Sequence, residues 1–167
     1  MNIIVAVYSD WGIGKNGTQS IIIPEDRRLF RELTDGGIVV VGRKTFKDIG
    51  KPLPNRKCIV LSRSEDYAAD GVIVFQKIED VLEMAARKNT DKVFIIGGGE
   101  IYREFLPLCK LAYVTKINAT PSSDTFFPDI DALQNWELIR RGDTKEAEGV
   151  QYSFNIYKNN HPEDRYV

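Results

Sequence analysis

The sequence predicts a single α/β domain around a mostly parallel sheet, and three observations predict it. Short, β-branched and nearly continuous apolar runs recur along the chain, as in strands covered on both faces. Helix-period patterns lie between several of these runs, which implies right-handed crossovers joining parallel neighbours. The 167 residues, with no internal repeat, linker or low-complexity tract, suffice for one domain that buries about two-thirds of the surface its unfolded chain exposes.

In chain order, the predicted strands are the apolar runs at residues 3–9, 38–42, 58–62, 72–75 and 93–96. Helices are predicted over 24–34, where Pro24 suits a first helical position and Gly36-Gly37 ends the element, and over 78–87, where Ile78, Val81, Leu82 and Ala85 follow the i, i+3, i+4, i+7 spacing. Residues 100–106 make a further helix, and a short helical stretch opens after Gly42. Residues 111–118 and 150–157 follow without a full-length helix between them, so the last strand is expected to return antiparallel. The polar tail from Asn159 is expected to fray.

Composition narrows the function classes. With 43% hydrophobic and 28% charged residues and a formal charge of −1, nothing pulls the whole chain toward nucleic acid or membrane, so any anion site must be local. Cys58 lies inside an apolar run and Cys109 near a helix end, without CxxC spacing, which reads as two reduced, buried thiols. The run from Ile3 to Val7 is too short for a signal-peptide core and meets Asp10 at once, so a cytoplasmic protein without a membrane span is expected. His161 is the only histidine and sits in the polar tail, which removes Ser-His-Asp triads, Cys-His pairs and multi-histidine zinc sites; no metal site is expected. Chemistry must run on carboxylates, hydroxyls, lysines or a cofactor.

Glycine-rich stretches need sorting. Gly12, Gly14 and Gly17 satisfy G-x-G-x-x-G after a strand, but the residues that follow carry no helical period, so a Rossmann turn is rejected; a flexible loop, or a cover over an active site, remains. Residues 37–44 mimic a Walker loop, yet a strand lies between the glycines. Val93 to Tyr102 reads as strand, tight turn, helix, with Gly97, Gly98 and Gly99 at the turn. Three glycines there serve either a plain turn or the close approach of a phosphate to free N–H groups.

Asp26 is the most informative side chain. It shares one helix stripe with Leu29, Phe30 and Leu33, while Arg27, Arg28, Arg31 and Glu32 occupy the other face. Such an acid is either a first-turn residue favoured by the helix dipole or a carboxylate waiting for a polar ligand in an apolar pocket. Gly42-Arg43-Lys44-Thr45 and Leu61-Ser62-Arg63-Ser64 close two strands with cations and hydroxyls. With the triple glycine, these strand ends are what a dinucleotide lying along the carboxyl edge of a sheet requires.

These residues, in this order, resemble the dihydrofolate reductase family from about residue 3 to 157. The matching pieces are the opening strand with Ala6, Ile13-Gly14, Pro24-x-Asp26 with Phe30, Gly42-Arg43-Lys44-Thr45, Gly50-Lys51-Pro52-Leu53-Pro54-x-Arg56, Leu61-Ser62-Arg63, Ile96-Gly97-Gly98-Gly99 with Tyr102, Tyr113-x-Thr115 and Asp124-Thr125-x-Phe127-Pro128. The resemblance implies a mixed eight-stranded sheet with an antiparallel C-terminal strand and about four flanking helices, in one domain over residues 1–158 with an adenosine-binding subdomain at about 38–88. It implies a monomer that transfers hydride from NADPH to dihydrofolate.

By the same resemblance, Asp26 and Thr115 are catalytic and grip the pterin, Ile4, Val5 and Ile96 lie beside it, and Phe30, Ile49, Lys51 and Leu53 line the substrate track, with Arg56 on the glutamate carboxylate. Ala6, Ile13, Gly14, Lys15, Asn16, Gly17 and Thr18 border the nicotinamide. Gly42, Arg43, Lys44 and Thr45 meet the phosphates, Leu61, Ser62 and Arg63 the 2′-phosphate end, and Ile96, Gly97, Gly98, Gly99, Glu100, Ile101 and Tyr102 the pyrophosphate region. One position departs from the pattern: Ile21 stands where the family usually has tryptophan, so an indole N–H able to hold a water near the pterin is missing. Two alternatives stay open on sequence: a reductase of the same fold acting on another heterocycle, and a protein that binds dinucleotide without turnover.

Overall fold

The computed structural model of the chain describes residues 1–165. Its strands are β1 (Asn2–Tyr8), β2 (Gly12–Gly14), β3 (Ile38–Gly42), β4 (Lys57–Leu61), β5 (Ile73–Phe75), β6 (Val93–Gly97), β7 (Leu111–Ile117), β8 (Thr125–Phe126), β9 (Trp136–Arg141), β10 (Lys145–Ala147) and β11 (Val150–Asn159). The helices are α1 (Pro24–Thr34), α2 (Arg43–Ile49), α3 (Ile78–Ala86) and α4 (Gly99–Phe105). α2, α3 and α4 each fall between strands that lie parallel in the sheet, as the alternation predicts, while α1 follows β2 of a small second sheet.

The main sheet runs in the order β10-β11-β7-β1-β6-β3-β4-β5. From β7 to β5 every neighbour is parallel, and β11 returns antiparallel to β7. Eight positions hold nine strands, because β10 and β9 share one edge of β11: β10 pairs Val150 to Tyr152 and β9 pairs Asn155 to Asn159. A small second sheet joins β2 to β8.

The central strands are β-branched because both faces are covered: Val39, Val40, Val41, Ile59, Val60, Ile3 and Ile95 are all buried. The main core packs β1, β6 and β7 against Val81, Leu82 and Ala85 of α3 and Tyr102 and Phe105 of α4. Among the described residues no helix is long and apolar enough to cross a membrane.

The expected fraying at Asn159 is corrected. This residue is the buried last position of β11, and its side-chain amide donates to the carbonyls of Pro107 and Cys109. Further along, the Glu163 N–H donates to the Pro107 carbonyl at 2.8 Å, so the tail is docked past His161.

One feature of the sheet opens the functional cleft. β1 and β6 pair only at Asn2 with Phe94 and Ile3 with Ile95, then diverge, while β1 stays paired to β7 along its full length. Past the divergence, side chains replace the missing ladder partners: the Tyr102 hydroxyl donates to the Ile4 carbonyl at 2.8 Å, and Gln19 Nε2 donates to the Ala6 carbonyl at 2.9 Å. Buried backbone acceptors need such partners.

Candidate active site

A cleft of about 1480 Å³ runs along the carboxyl ends of β1, β6, β3 and β4. Drug-sized ligands occupy roughly 300–1000 Å³, so this volume has room for two ligands side by side. Its wall includes Ile4, Val5, Ala6, Ile13, Gly14, Gly17, Asp26, Phe30, Gly42 to Thr45, Leu61 to Ser64 and Ile96 to Tyr102. Residues far apart in sequence are thus brought together as the strand-end reading anticipates.

Asp26 sits in the first turn of α1, with no side-chain cap at the helix start, and projects into the cleft half-buried. The buried Thr115 of β7 donates its hydroxyl to Asp26 Oδ1 at 2.5 Å. Burial pushes the Asp26 carboxyl above its usual range, against the opposing pull of the Thr115 hydrogen bond and of Arg27. The carboxyl therefore holds a proton at higher pH than a free aspartic acid does. Its neighbour Glu25 points the other way, accepting from Lys145 Nζ and the Tyr152 hydroxyl, both at 2.5 Å, which ties the start of α1 to β10 and β11.

At the glycine turn, Gly97 has φ +118° and the Gly97-Gly98 peptide is cis. A Cβ on Gly98 would lie 2.8 Å from Thr45 Oγ1, and one on Gly99 2.6 Å from Thr125 Cγ2. Glycine is therefore required by close approach at this turn, and it keeps the backbone of β6 and α4 bare where the cleft passes. Arg43 stacks over the Tyr67 ring at 4.3 Å, Lys44 is exposed, and Arg63 pairs with Glu100 across the outer end of the cleft. Both members of that pair are largely exposed, so an incoming anion can take the guanidinium at little cost.

The loop after β2 crosses the cleft mouth. Lys15 and Thr18 exchange backbone hydrogen bonds of 2.9 and 3.1 Å around Asn16 (φ 53°) and Gly17 (φ 79°), a tight hairpin turn with left-handed central residues. Gly17 comes so near α2 that a Cβ would sit 2.4 Å from Asp48 Oδ2. The Asn16 N–H donates to Asp124 Oδ2, and the Asp124 N–H to the Gly14 carbonyl, both at 3.0 Å. The stretch that the sequence leaves as either a flexible loop or a cover over an active site is an ordered turn beside the cleft, and its Asn-Gly dipeptide is the local signal for that turn.

Other predicted residues are not among those that line the cleft. Lys15, Asn16 and Thr18 are exposed on the loop tip. Ile49 packs with Val41, Phe46 and Val60, Leu53 donates its N–H to Cys58 Sγ, and Lys51 is exposed. Arg56 lies at the far end of α1, bonded to Thr34 Oγ1 at 3.2 Å and over the Phe30 ring at 5.9 Å. Ile21 packs beside Tyr8, Ile23 and Tyr152. The cleft also includes residues the sequence reading did not single out, among them Gln19, Arg27, Asp48, Gln76, Arg103 and Asp124. Arg27 lies, by periodicity, on the face of α1 opposite the apolar stripe, and periodicity alone cannot show that the neighbouring cleft reaches round to it.

An open, mostly parallel sheet with its cleft at the carboxyl ends of diverging strands defines an α/β ligand-binding protein of the nucleotide-binding kind. The family model described as dihydrofolate reductase matches residues 1–159, and the chain belongs to the dihydrofolate reductase family. It is 33% identical over 160 residues to a dihydrofolate reductase of Bacillus subtilis, covering 95% of this chain and 94% of the relative. To that of Haemophilus influenzae it is 38% identical over 137 residues, covering 82% and 83%. A solved dihydrofolate reductase from Enterococcus faecalis, complexed with NADP(H), superposes with a TM-score of 0.84 at 36% identity, over 95% of each chain.

Proposed function

We propose that the chain reduces 7,8-dihydrofolate to 5,6,7,8-tetrahydrofolate with NADPH, and that Asp26 orients the pterin and sets its protonation. The observation that carries this reading is Asp26, hydrogen-bonded by the buried Thr115, standing in the same cleft as the bare glycine turn and the two cationic strand ends. A half-buried carboxylate facing an amidine-like ring edge makes two parallel charge-assisted hydrogen bonds, which fix orientation as well as supply energy.

The residues present fit the cofactor. Gly97, Gly98 and Gly99 leave the backbone open where Cβ atoms would intrude, Lys44 and Thr45 stand beside them for phosphates, and Ser62 and Arg63 close β4 for the 2′-phosphate. Residues 38–88 then form the adenosine-binding side. NADPH bound there supplies the hydride; the chain supplies placement, exclusion of water and control of a proton.

Reducing the pterin C=N bond adds hydride to carbon and a proton to nitrogen. Asp26 is the titratable group on the α1 side of the cleft placed for that second task, and burial keeps it protonated at higher pH than usual. Thr115 holds the carboxyl in line. Ile4 and Ile96 offer carbonyls beside the ring, Val5 and Phe30 its apolar walls, and Arg56, anchored on Thr34 near Phe30, meets the substrate's glutamate carboxylate. Ile49, Lys51 and Leu53 belong to the same substrate track in this reading.

Loss of NADPH absorbance on adding dihydrofolate tests the proposal. Rapid oxidation is expected; oxidation by a riboflavin-pathway pyrimidine and not by dihydrofolate would replace it with the sister-reductase reading.

A further inference from the structure

The turn of helix that carries Asp26 has no side-chain cap: Ile23 stands at the cap position and Pro24 follows it. Ile23 is buried with Tyr8, Ile117 and Tyr152, which holds the helix start against the sheet. Such a contact is non-directional and leaves the rotation of the first turn open. Directional bonds come from β10 and β11. Lys145 and Tyr152 are cross-strand partners, joined by a tight turn at Glu148 and Gly149 with φ values of 54° and 73°. Lys145 Nζ donates to Glu25 Oε1 and the Tyr152 hydroxyl to Glu25 Oε2, each at 2.5 Å. Two residues along β11, Phe154 points to the same face and is the cross-strand partner of Thr115. Its ring lies 5.6 Å from that of Tyr152 and 5.5 Å from Lys145 Nζ. Contacts thus close a ring: Asp26, Thr115, Phe154, the Lys145 and Tyr152 pair, Glu25, and back along the backbone to Asp26.

We propose that Glu25 is a positioning residue for the reduction: pinned by Lys145 and Tyr152, it sets the rotation of the first turn of α1 and so aims the Asp26 carboxyl into the cleft. The proposal rests on the role given to Asp26 above. Bonds to both oxygens of one carboxylate fix its orientation as well as its place. None of Glu25, Lys145 and Tyr152 is among the described residues that line the cleft, so the hairpin acts on the chemistry only through Asp26. The titratable and charged groups around the two acids are Arg27 and Arg28 on α1, Tyr102 on α4, Lys145 on β10 and Tyr152 on β11. The hydrogen bonds of Lys145 and Tyr152 hold the Glu25 carboxyl low, and the bond to Glu25 is the main cause that pushes the Tyr152 hydroxyl up to about 12. Near neutrality the acceptor is therefore charged and the donor protonated.

The test follows kcat and KM for dihydrofolate against pH, with NADPH saturating and below each thermal midpoint, in the native chain, Glu25→Ala, Glu25→Gln and Tyr152→Phe. Tyr152→Phe removes one hydroxyl and no bulk, so it keeps the test readable if Glu25→Ala unfolds. In Glu25→Ala, kcat is expected to fall about ten- to a hundred-fold, as for a misplaced reacting group, with KM changing less. The loss should be smaller in Tyr152→Phe and smallest in Glu25→Gln, which keeps an oxygen acceptor. The pH at which turnover falls should move down in Tyr152→Phe as well as in Glu25→Ala, because a carboxyl freed from its seat is better hydrated; Tyr152→Phe leaves the Glu25 charge in place, so its shift reports position. Glu25→Ala added to Asp26→Asn should slow turnover no further. Native kcat and pH profile in Glu25→Ala and Tyr152→Phe, even with lowered thermal midpoints, would overturn the proposal, and so would a full Glu25→Ala loss on top of Asp26→Asn. A native chain that does not oxidise NADPH with dihydrofolate, or normal turnover in Asp26→Asn alone, removes the underlying reading instead, an outcome distinct from these.

Discussion

Asp26 concentrates the conflict between stability and chemistry. Its folded form binds a proton more tightly than the unfolded chain, so the stability it contributes is present at low pH and is lost as pH rises through its raised value. Asp26→Asn keeps an acceptor for Thr115 and removes the burial of charge. It is expected to lower turnover by orders of magnitude, to leave NADPH affinity intact, and to raise the thermal midpoint at pH 8. A variant with normal turnover would reduce Asp26 to a helix-start acid. In the native enzyme, turnover should fall as pH rises through the Asp26 value. Arg63 makes a second residue-scale prediction: if its guanidinium meets the extra phosphate as proposed, Arg63→Ala should weaken NADPH far more than NADH, which lacks that phosphate. Equal weakening would remove that role.

At the scale of elements, the glycine turn separates conformational need from space. Gly97→Ala places a Cβ at φ +118° with the Tyr102 ring 3.1 Å away, whereas Gly98→Ala meets only the Thr45 hydroxyl. Urea unfolding should show Gly97→Ala costing about 1–3 kcal/mol and Gly98→Ala less, with Gly98→Ala weakening NADPH instead. The tie from Glu25 to Lys145 and Tyr152 lowers the Glu25 carboxyl below its ordinary 4.5, chiefly through the Lys145 hydrogen bond. Its contribution is present above that value and lost as pH falls below it. Glu25→Gln should therefore be less sensitive to acid in this window when thermal midpoints are followed against pH.

The elements differ in how openly the sequence declares them. β3, with Val39, Val40 and Val41 all buried, and α1, with its proline start and apolar stripe, follow from local pattern because burial and helix geometry set it. β9 and β10 do not: Trp-Glu-Leu-Ile-Arg-Arg and Lys-Glu-Ala are charged edge segments whose strand state depends on β11 beside them. Asp26 stood out as an acid on an apolar stripe. Gln19 did not, since a loop amide that reaches a backbone carbonyl thirteen residues away leaves no periodic trace.

Across the whole molecule, the parting of β1 from β6 gives one cleft with two sides: a carboxylate and apolar wall from α1 and β1, and glycines and cations from the ends of β3, β4 and β6. Ligands on separate tracks stabilise the fold independently. Each at a hundred times its dissociation constant contributes about 2.7 kcal/mol, so NADPH and a folate together should raise the thermal midpoint more than either alone. A shift no larger than that of one ligand would mean that they compete. The most direct measurement uses NADPH deuterated at the transferable position of the nicotinamide, turned over with dihydrofolate in ordinary water. One deuterium on the reduced pterin carbon of tetrahydrofolate is the predicted result, and product without deuterium would contradict direct transfer within the shared cleft.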